Sequence, residues 1–206
     1  TTISSILSLI LKKYFKLNIF IISIDDFYKT RKDRKALSRK KHPLLMTRGV
    51  PGTHDVQLAM DSIKSLAAGQ KTLITRFDKS IDDRAPAASL KTTEGKIGLI
   101  VVEGWCLGAK QESTEKLIQP INSLEENDDR DGIWRAYVNR ALQNDYPPLF
   151  ALVDELIMLQ APAFDTVFKW RLEQEQKMVK RLEKEGINCG SGVMSEQQIL
   201  RFISYF

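Results

Sequence analysis

The sequence predicts an α/β fold in which a mostly parallel β-sheet is flanked by helices on both faces. Two runs rich in Ile and Val, 17–23 and 96–103, are typical of buried strands. Segments with helical spacing of apolar residues separate the strands, and this alternation favours parallel pairing. A third observation is a carboxylate at or just after the end of each run, Asp25 and Glu103. Open α/β sheets bind their ligands at this edge.

The remaining elements follow from periodicity and from turn residues. The pattern predicts helices over 1–13, 33–41, 56–68, 133–143 and 166–184 and further strands over 71–77 and 149–159. Asp55 is placed to cap the helix that begins at Val56. The polar stretch 78–94 is predicted to be a loop, 109–132 an irregular surface insertion, and 186–192 a break after the long charged helix.

Length and composition are those of one globular domain, which we assign to residues 1–206. Charged residues make up 28% of the chain, and its net charge of +5 is dispersed except for the basic run 31–41. That run is typical of a solvated helix face, with contact to substrate or nucleic acid as the lesser alternative. Two cysteines without metal-ligand spacing favour a reducing, cytoplasmic location. No apolar run reaches the roughly 18 residues of a membrane span, so no membrane partner is expected.

Several residue types required for phosphoryl transfer occur at the predicted sheet edge. Asp25 is positioned to act as a base toward a substrate hydroxyl, and Glu103 to hold Mg²⁺ directly or through water. Thr1 opens the first helix, as does the hydroxyl residue that ends a Walker A loop, G-x-x-x-x-G-K-[ST]. These 206 residues contain no such glycine-rich loop or lysine, which is the pattern of a phosphotransferase fragment without its phosphate cradle. Taken singly, Asp25 could instead be a turn cap and Glu103 the partner of a lysine.

Four motifs occur in a fixed order along the chain and carry a family resemblance. They are Ser23-Ile24-Asp25-Asp26-Phe27-Tyr28, Arg48-Gly49-Val50-Pro51-Gly52-Thr53-His54-Asp55, Phe77-Asp78-Lys79-Ser80 and Val102-Glu103-Gly104-Trp105. The set resembles the P-loop small-molecule kinases related to uridine kinase, phosphoribulokinase and pantothenate kinase. Within that group it is most similar to the D-glycerate 3-kinase branch, which the segment 167–175 also resembles. The resemblance implies a three-layer P-loop NTPase fold, ATP and Mg²⁺ as cofactors, and a small hydroxyl-bearing acceptor, with D-glycerate the leading candidate.

The resemblance also implies a role for each matched position. Asp25 corresponds to the catalytic base or hydroxyl-orienting carboxylate, and Glu103 to the carboxylate near Mg²⁺. Thr1 corresponds to the Walker hydroxyl that ligates Mg²⁺, and with Thr2 it is expected to face the ATP phosphates. The remaining cations and polar groups are assigned to the acceptor or to the transferred phosphate: Arg48, His54, Asp55, Lys79 and Arg84 to the acceptor, and Arg171 to the phosphate from the lid side.

Other interpretations stay open at this point. The chain could be a catalytically inactive nucleotide-binding or regulatory protein of the same fold. A nucleic-acid-binding module built on 31–41 is the third interpretation, but this run lacks the interleaved aromatic residues that stack on bases. His54 could simply bond backbone, and Arg171 could pair with Glu175 four residues on. The oligomeric state is left open.

Overall fold

The computed structural model contains both helices and strands, and it describes residues 2–93, 95–185 and 193–206. The helices are α1 Thr2–Phe15, α2 Arg31–Lys40, α3 Val56–Ala67, α4 Ser123–Asp128, α5 Ile133–Asn144, α6 Pro147–Phe150, α7 Phe164–Lys184 and α8 Glu196–Ile203. The strands are β1 Ile19–Ser23, β2 Thr72–Ile74, β3 Phe77–Asp78, β4 Asp83–Arg84, β5 Lys91–Thr93 and β6 Leu99–Glu103. Short 3-10 helices cover Ile24–Phe27, Pro43–Met46, Ala87–Ser89 and Thr114–Leu117.

The two Ile/Val-rich strands pair in parallel, as predicted. β1 lies beside β6, and Ser23 at the end of β1 is in register with Glu103 at the end of β6. Within the described ranges the other pairings, β2 with β5 and β3 with β4, are antiparallel. The turn 79–82 that joins β3 to β4 is too short for a parallel crossover and permits antiparallel pairing only. The α/β class is therefore confirmed, with parallel pairing limited to β1 and β6 in the described part of the chain.

Helix α3 packs its apolar face into the main core, as its periodicity predicts. Val56, Ala59, Met60, Ile63 and Leu66 are buried at helical spacing. They contact buried residues that follow or belong to β1 and β2, among them Ile22, Ile24, Phe27 and Ile74. Burial of each large aliphatic side chain contributes roughly 1.5–3 kcal/mol. The predicted cap is also present, since the Leu58 amide donates to Asp55 Oδ1 at 3.2 Å.

The structure corrects three predictions. The strand predicted over 149–159 is wrong: Pro147 and Pro148 begin the short helix α6, where proline suits the first turn, and 151–160 contains no strand. The loop predicted over 78–94 holds β4, β5 and a 3-10 turn. The irregular stretch predicted over 109–132 holds α4, because the Asn122 side chain caps it by accepting from the Glu125 amide.

The first helix is present as predicted, but its apolar residues are not buried. No residue of α1 is buried, and Ile3, Ile6 and Ile10 are exposed. Across the described ranges, no helix combines the length and apolar character that a membrane crossing requires. The predicted break over 186–192 lies outside the described residues.

Candidate active site

Two carboxylates leave the same edge of the parallel pair, as the sequence predicts. The in-register ends of β1 and β6, Ser23 and Glu103, fix this edge. The chain continues from Ser23 into the 3-10 helix Ile24–Phe27, which carries Asp25 and Asp26. A short 3-10 turn at this point directs two neighbouring aspartates into different surroundings.

Asp25 is held by two hydrogen-bond donors. The Tyr28 hydroxyl donates to Oδ1 at 2.9 Å, and the Lys79 ammonium donates to Oδ2 at 2.8 Å. Burial raises the pKa of Asp25, but the hydrogen bond and charge of Lys79, with the Tyr28 hydrogen bond, outweigh it, so the pKa lies below its usual value. Asp25 is therefore ionised at neutral pH and can accept a proton.

The neighbouring Asp26 accepts hydrogen bonds from residues at and just before the start of β3 and has a structural role. Arg76 donates to Oδ2 at 2.7 Å, and the Phe77 amide donates to Oδ1 at 3.2 Å. Burial, and to a lesser degree the charge of Asp25, raises the pKa of Asp26 in spite of both donors. Asp26 thus anchors β3 beside the 3-10 helix, and Asp25 is the carboxylate with acid–base potential.

Backbone pairing brings the 48–55 motif against the Asp25 segment. The Lys29 amide donates to the Thr53 carbonyl at 2.8 Å, and the Asp55 amide donates to the Phe27 carbonyl at 2.7 Å. The Lys29 ammonium also donates to the His54 carbonyl at 2.6 Å. Two motifs more than twenty residues apart are therefore joined as a short antiparallel bridge, which brings His54 and Asp55 to the segment that carries Asp25.

His54 lies beneath this bridge as a buried, neutral imidazole. Its ring is 1% exposed and stacks on Tyr28 with ring centroids 4.5 Å apart. Nδ1 lies 2.5 Å from the Tyr146 hydroxyl, which also accepts from the Gly52 amide at 3.1 Å. Burial lowers the pKa of His54 to about 3, because the charge of Asp25 only partly offsets the loss of solvation. Nε2 is buried without a hydrogen-bond partner among the described residues.

This depressed pKa predicts a pH-dependent stability. The folded chain binds a proton at His54 only near pH 3, whereas an unfolded histidine binds one near pH 6.5. The unfolded state therefore takes up more protons, and stability that is complete above pH 6.5 is lost as the pH falls toward 3. Between pH 7 and pH 5 the loss is about 2 kcal/mol in the free energy of unfolding, above the range where most carboxylates titrate. We expect urea unfolding to show this loss in the wild type and to show a smaller one in His54→Gln; equal losses in both chains would contradict the assignment.

Two of the predicted acceptor-binding cations are held by carboxylates, Arg84 by Asp55 and Arg48 by Asp82. Arg84 donates to Asp55 Oδ2 at 2.9 Å and to the Tyr28 carbonyl at 3.0 Å. Burial raises the pKa of Asp55, but the Arg84 hydrogen bond and the cap at Leu58 lower it overall. Arg48 pairs with Asp82 and lies over the Phe77 ring. The three cations are thus held on three different carboxylates, Lys79 on Asp25, Arg84 on Asp55 and Arg48 on Asp82.

A fully buried arginine holds these segments together, and the sequence did not single it out. Arg34 of α2 is 0% exposed. Its guanidinium donates to the carbonyls of Lys29 at 3.2 Å, Met46 at 2.6 Å and Asp82 at 2.6 Å, and it lies 3.0 Å from the Asp82 carboxylate. The prediction that 31–41 is a solvated face is wrong at this position. The available signal was weak: Arg34 stands three residues before Leu37, on the face that packs inward.

The remaining predicted site residues are Thr1, Thr2 and Arg171. Thr1 lies outside the described residues, and Thr2 begins α1 and is exposed. Arg171 of α7 lies 2.7 Å from Glu175 and 5.9 Å from the centre of the Phe202 ring. None of these contacts joins Arg171 to the Asp25 cluster.

The donor set near Asp25 and Glu103 is compatible with Mg²⁺ but not with a protein-built metal cage. Among the described residues there is no group of three or more His, Cys, Asp or Glu that could hold a metal. Mg²⁺ is commonly bound by one or two carboxylates together with substrate phosphates and water. A strand-end carboxylate such as Glu103 therefore fits this ion when phosphates complete its coordination.

The known proteins that the chain is similar to in sequence are named kinases. No family model matches the chain. It is 29% identical over 194 residues to the uncharacterized kinase mug58 of Schizosaccharomyces pombe, covering 89% of this chain and 66% of that protein. It is also 29% identical over 196 residues to the chloroplastic D-glycerate 3-kinase of Arabidopsis thaliana, covering 90% and 39%. The chain thus spans less than two thirds of these relatives.

A solved structure gives a similar result. The D-glycerate 3-kinase from Cryptococcus neoformans superposes with a TM-score of 0.79 at 27% identity, covering 98% of this chain and 71% of that one. These likenesses are to kinases, and they agree with the resemblance to P-loop small-molecule kinases that the sequence motifs carry. Of the three similar proteins described above, the ones from Arabidopsis thaliana and Cryptococcus neoformans are named D-glycerate 3-kinase.

Proposed function

We propose that the chain belongs to a kinase that transfers the γ-phosphate of ATP to a hydroxyl of a small metabolite, with D-glycerate as the acceptor. The observation that carries the proposal is the ionised Asp25 at the carboxyl edge of β1, held by the Tyr28 hydroxyl and the Lys79 ammonium. The relatives named D-glycerate 3-kinase support the choice of acceptor. A three-layer P-loop fold is part of this proposal, and the parallel pair β1–β6 is consistent with it.

The proposed chemistry assigns the proton to Asp25. The acceptor hydroxyl passes its proton to the Asp25 carboxylate as its oxygen bonds to the γ-phosphorus of ATP. The bond from that phosphorus to the bridging oxygen of ADP breaks, so the products are the phosphorylated acceptor and ADP. Bound Mg²⁺ would neutralise charge on the phosphates, with Glu103 and Thr1 as its protein ligands and Thr2 beside them. Asp25 contributes orientation of the hydroxyl as well as proton acceptance.

The acceptor's own carboxylate would be recognised by the cations assigned to it. Arg48 and Arg84 present planar guanidinium groups that suit a carboxylate, and Lys79 presents a mobile ammonium. Asp55 orients Arg84 through their ion pair at 2.9 Å. His54 supports the site by stacking on Tyr28. This set matches a small hydroxy acid better than a neutral polyol or a nucleoside.

We propose that Arg171 of α7 contacts the transferred phosphate, with α7 acting as part of a lid over the substrates. In the structure it forms an ion pair with the buried Glu175 and packs over Phe202 of α8. The role therefore requires Arg171 to leave Glu175 when substrates bind. Measuring kcat in Arg171→Met separates this role from simple packing between α7 and α8.

The proposal is tested by ATP-dependent phosphorylation across a panel of small hydroxy acids, glycerol, nucleosides and pantothenate, using the full-length protein. We expect turnover of D-glycerate in preference to the other compounds, measured as ADP release and as the phosphorylated product by mass spectrometry. ATP binding without turnover of any acceptor would favour the alternative of an inactive nucleotide-binding or regulatory protein. A cytoplasmic location remains a prediction.

A further inference from the structure

The two donors to Asp25 differ in how firmly they are held. Tyr28 is buried, stacks on His54 and meets the edge of the Phe77 ring with centroids 5.2 Å apart, so its hydroxyl is fixed. Lys79 follows β3 in the turn that leads to β4, and its side chain is 59% exposed. One donor belongs to the core and the other reaches the base from a surface turn.

The other acceptor-binding cations are anchored, in contrast to Lys79. Arg84 has two partners, Asp55 and the Tyr28 carbonyl, and Arg48 is paired with Asp82, which Arg34 also holds. Among these cations, Lys79 is the one that occupies the carboxylate assigned as the base. A hydroxyl that is to donate to Asp25 must compete with this ammonium group.

We propose that the anionic group of the acceptor draws Lys79 away from Asp25, so that recognition of the anion uncovers the base. This inference rests on the proposed function, because it takes Asp25 as the base and an anionic small molecule as the acceptor. It makes Lys79 a specificity-determining residue: a neutral acceptor leaves the ammonium on Asp25 and meets a covered base.

Elementary electrostatics favours this exchange, in which Lys79 leaves Asp25 and binds the anionic group of the acceptor. An exposed lysine–carboxylate pair contributes little to stability, since water and salt screen it. The lysine stem is flexible, and its ammonium bonds one carboxylate as readily as another. When Lys79 moves, the Tyr28 hydroxyl still donates to Oδ1, so Asp25 keeps its orientation while Oδ2 becomes free for the acceptor hydroxyl.

The test compares D-glycerate with glycerol, which lacks the carboxylate, as acceptors for the wild type and for Lys79→Met. We expect the variant to lose at least tenfold in kcat/KM for D-glycerate and to gain at least threefold for glycerol, because its base is uncovered without an anion. Lys71→Met, which changes an exposed lysine at the start of β2, should match the wild type with both acceptors. A loss for D-glycerate with no gain for glycerol would reduce Lys79 to a simple carboxylate ligand, and equal losses for both would make it structural; either result overturns the inference.

A readout without turnover keeps the inference separate from the proposed function. The Lys79 side-chain nitrogen signal, assigned by its absence in Lys79→Met, is followed by NMR as D-glycerate or glycerol is added. We expect D-glycerate to shift this signal and glycerol to leave it in place. A wild type that phosphorylates neither compound but shows this selective shift would refute the proposed reaction and leave the exchange standing. Turnover of D-glycerate with an unmoved Lys79 signal would overturn the exchange and leave the reaction standing.

Discussion

Asp25→Asn is expected to lower kcat for D-glycerate by about 10²–10⁴-fold, the usual contribution of a positioned general base. The asparagine oxygen can still accept from the Tyr28 hydroxyl, so the local geometry is kept while proton acceptance is lost. The side chain is 30% exposed, and the substitution removes an ion pair with an exposed lysine, so the fold should remain intact. Steady-state kinetics with ATP and D-glycerate, together with urea unfolding, measure both effects.

The neighbouring aspartate is the matched control for this variant. Asp26→Asn leaves the proposed base in place and weakens the contacts to Arg76 and Phe77 that anchor β3. We expect its kcat to stay within about tenfold of the wild type, since no proton transfer depends on it. The proposed mechanism is refuted if Asp26→Asn costs more activity than Asp25→Asn, or if Asp25→Asn turns over at the wild-type rate.

The contrast between these two residues shows the limit of what the sequence predicts. Both aspartates follow the same strand, and the motif alone does not separate their environments. The partners that separate them, Lys79 for Asp25 and Arg76 for Asp26, lie about fifty residues further along the chain. Strand ends are local features and were predicted; partners across the fold depend on tertiary packing and were not.

The same distinction explains which elements were predicted. Helix α3 combines a capping aspartate with regular apolar spacing, so its bounds follow from local sequence. β3 and β4 contain two residues each, too few to show a strand period. The exposed residues 156–159 look like a buried strand because apolar content alone suggests one, whereas the structure gives them no strand.

Arg34→Met is expected to lower the free energy of unfolding by about 3–5 kcal/mol, the range seen when one member of a buried charged network is removed. Methionine fills much of the arginine volume, so the loss comes chiefly from polar groups. The carbonyls of Lys29, Met46 and Asp82 lose a donor that is itself fully buried, and Asp82 keeps Arg48 as its cation. Urea unfolding of the variant and the wild type gives the difference from the shift in midpoint.

Two further variants show whether the effect belongs to this guanidinium. Lys35→Met removes the next cation of α2, which is exposed, and should change stability by no more than about 0.5 kcal/mol. Arg34→Lys should recover only part of the loss, because one ammonium cannot reproduce a planar fork that reaches three carbonyls. Comparable unfolding midpoints for Arg34→Met and Lys35→Met would mean that the buried network contributes nothing. The expected ranking instead identifies Arg34 as the residue that joins Lys29, the end of the 3-10 helix Pro43–Met46 and the turn at Asp82.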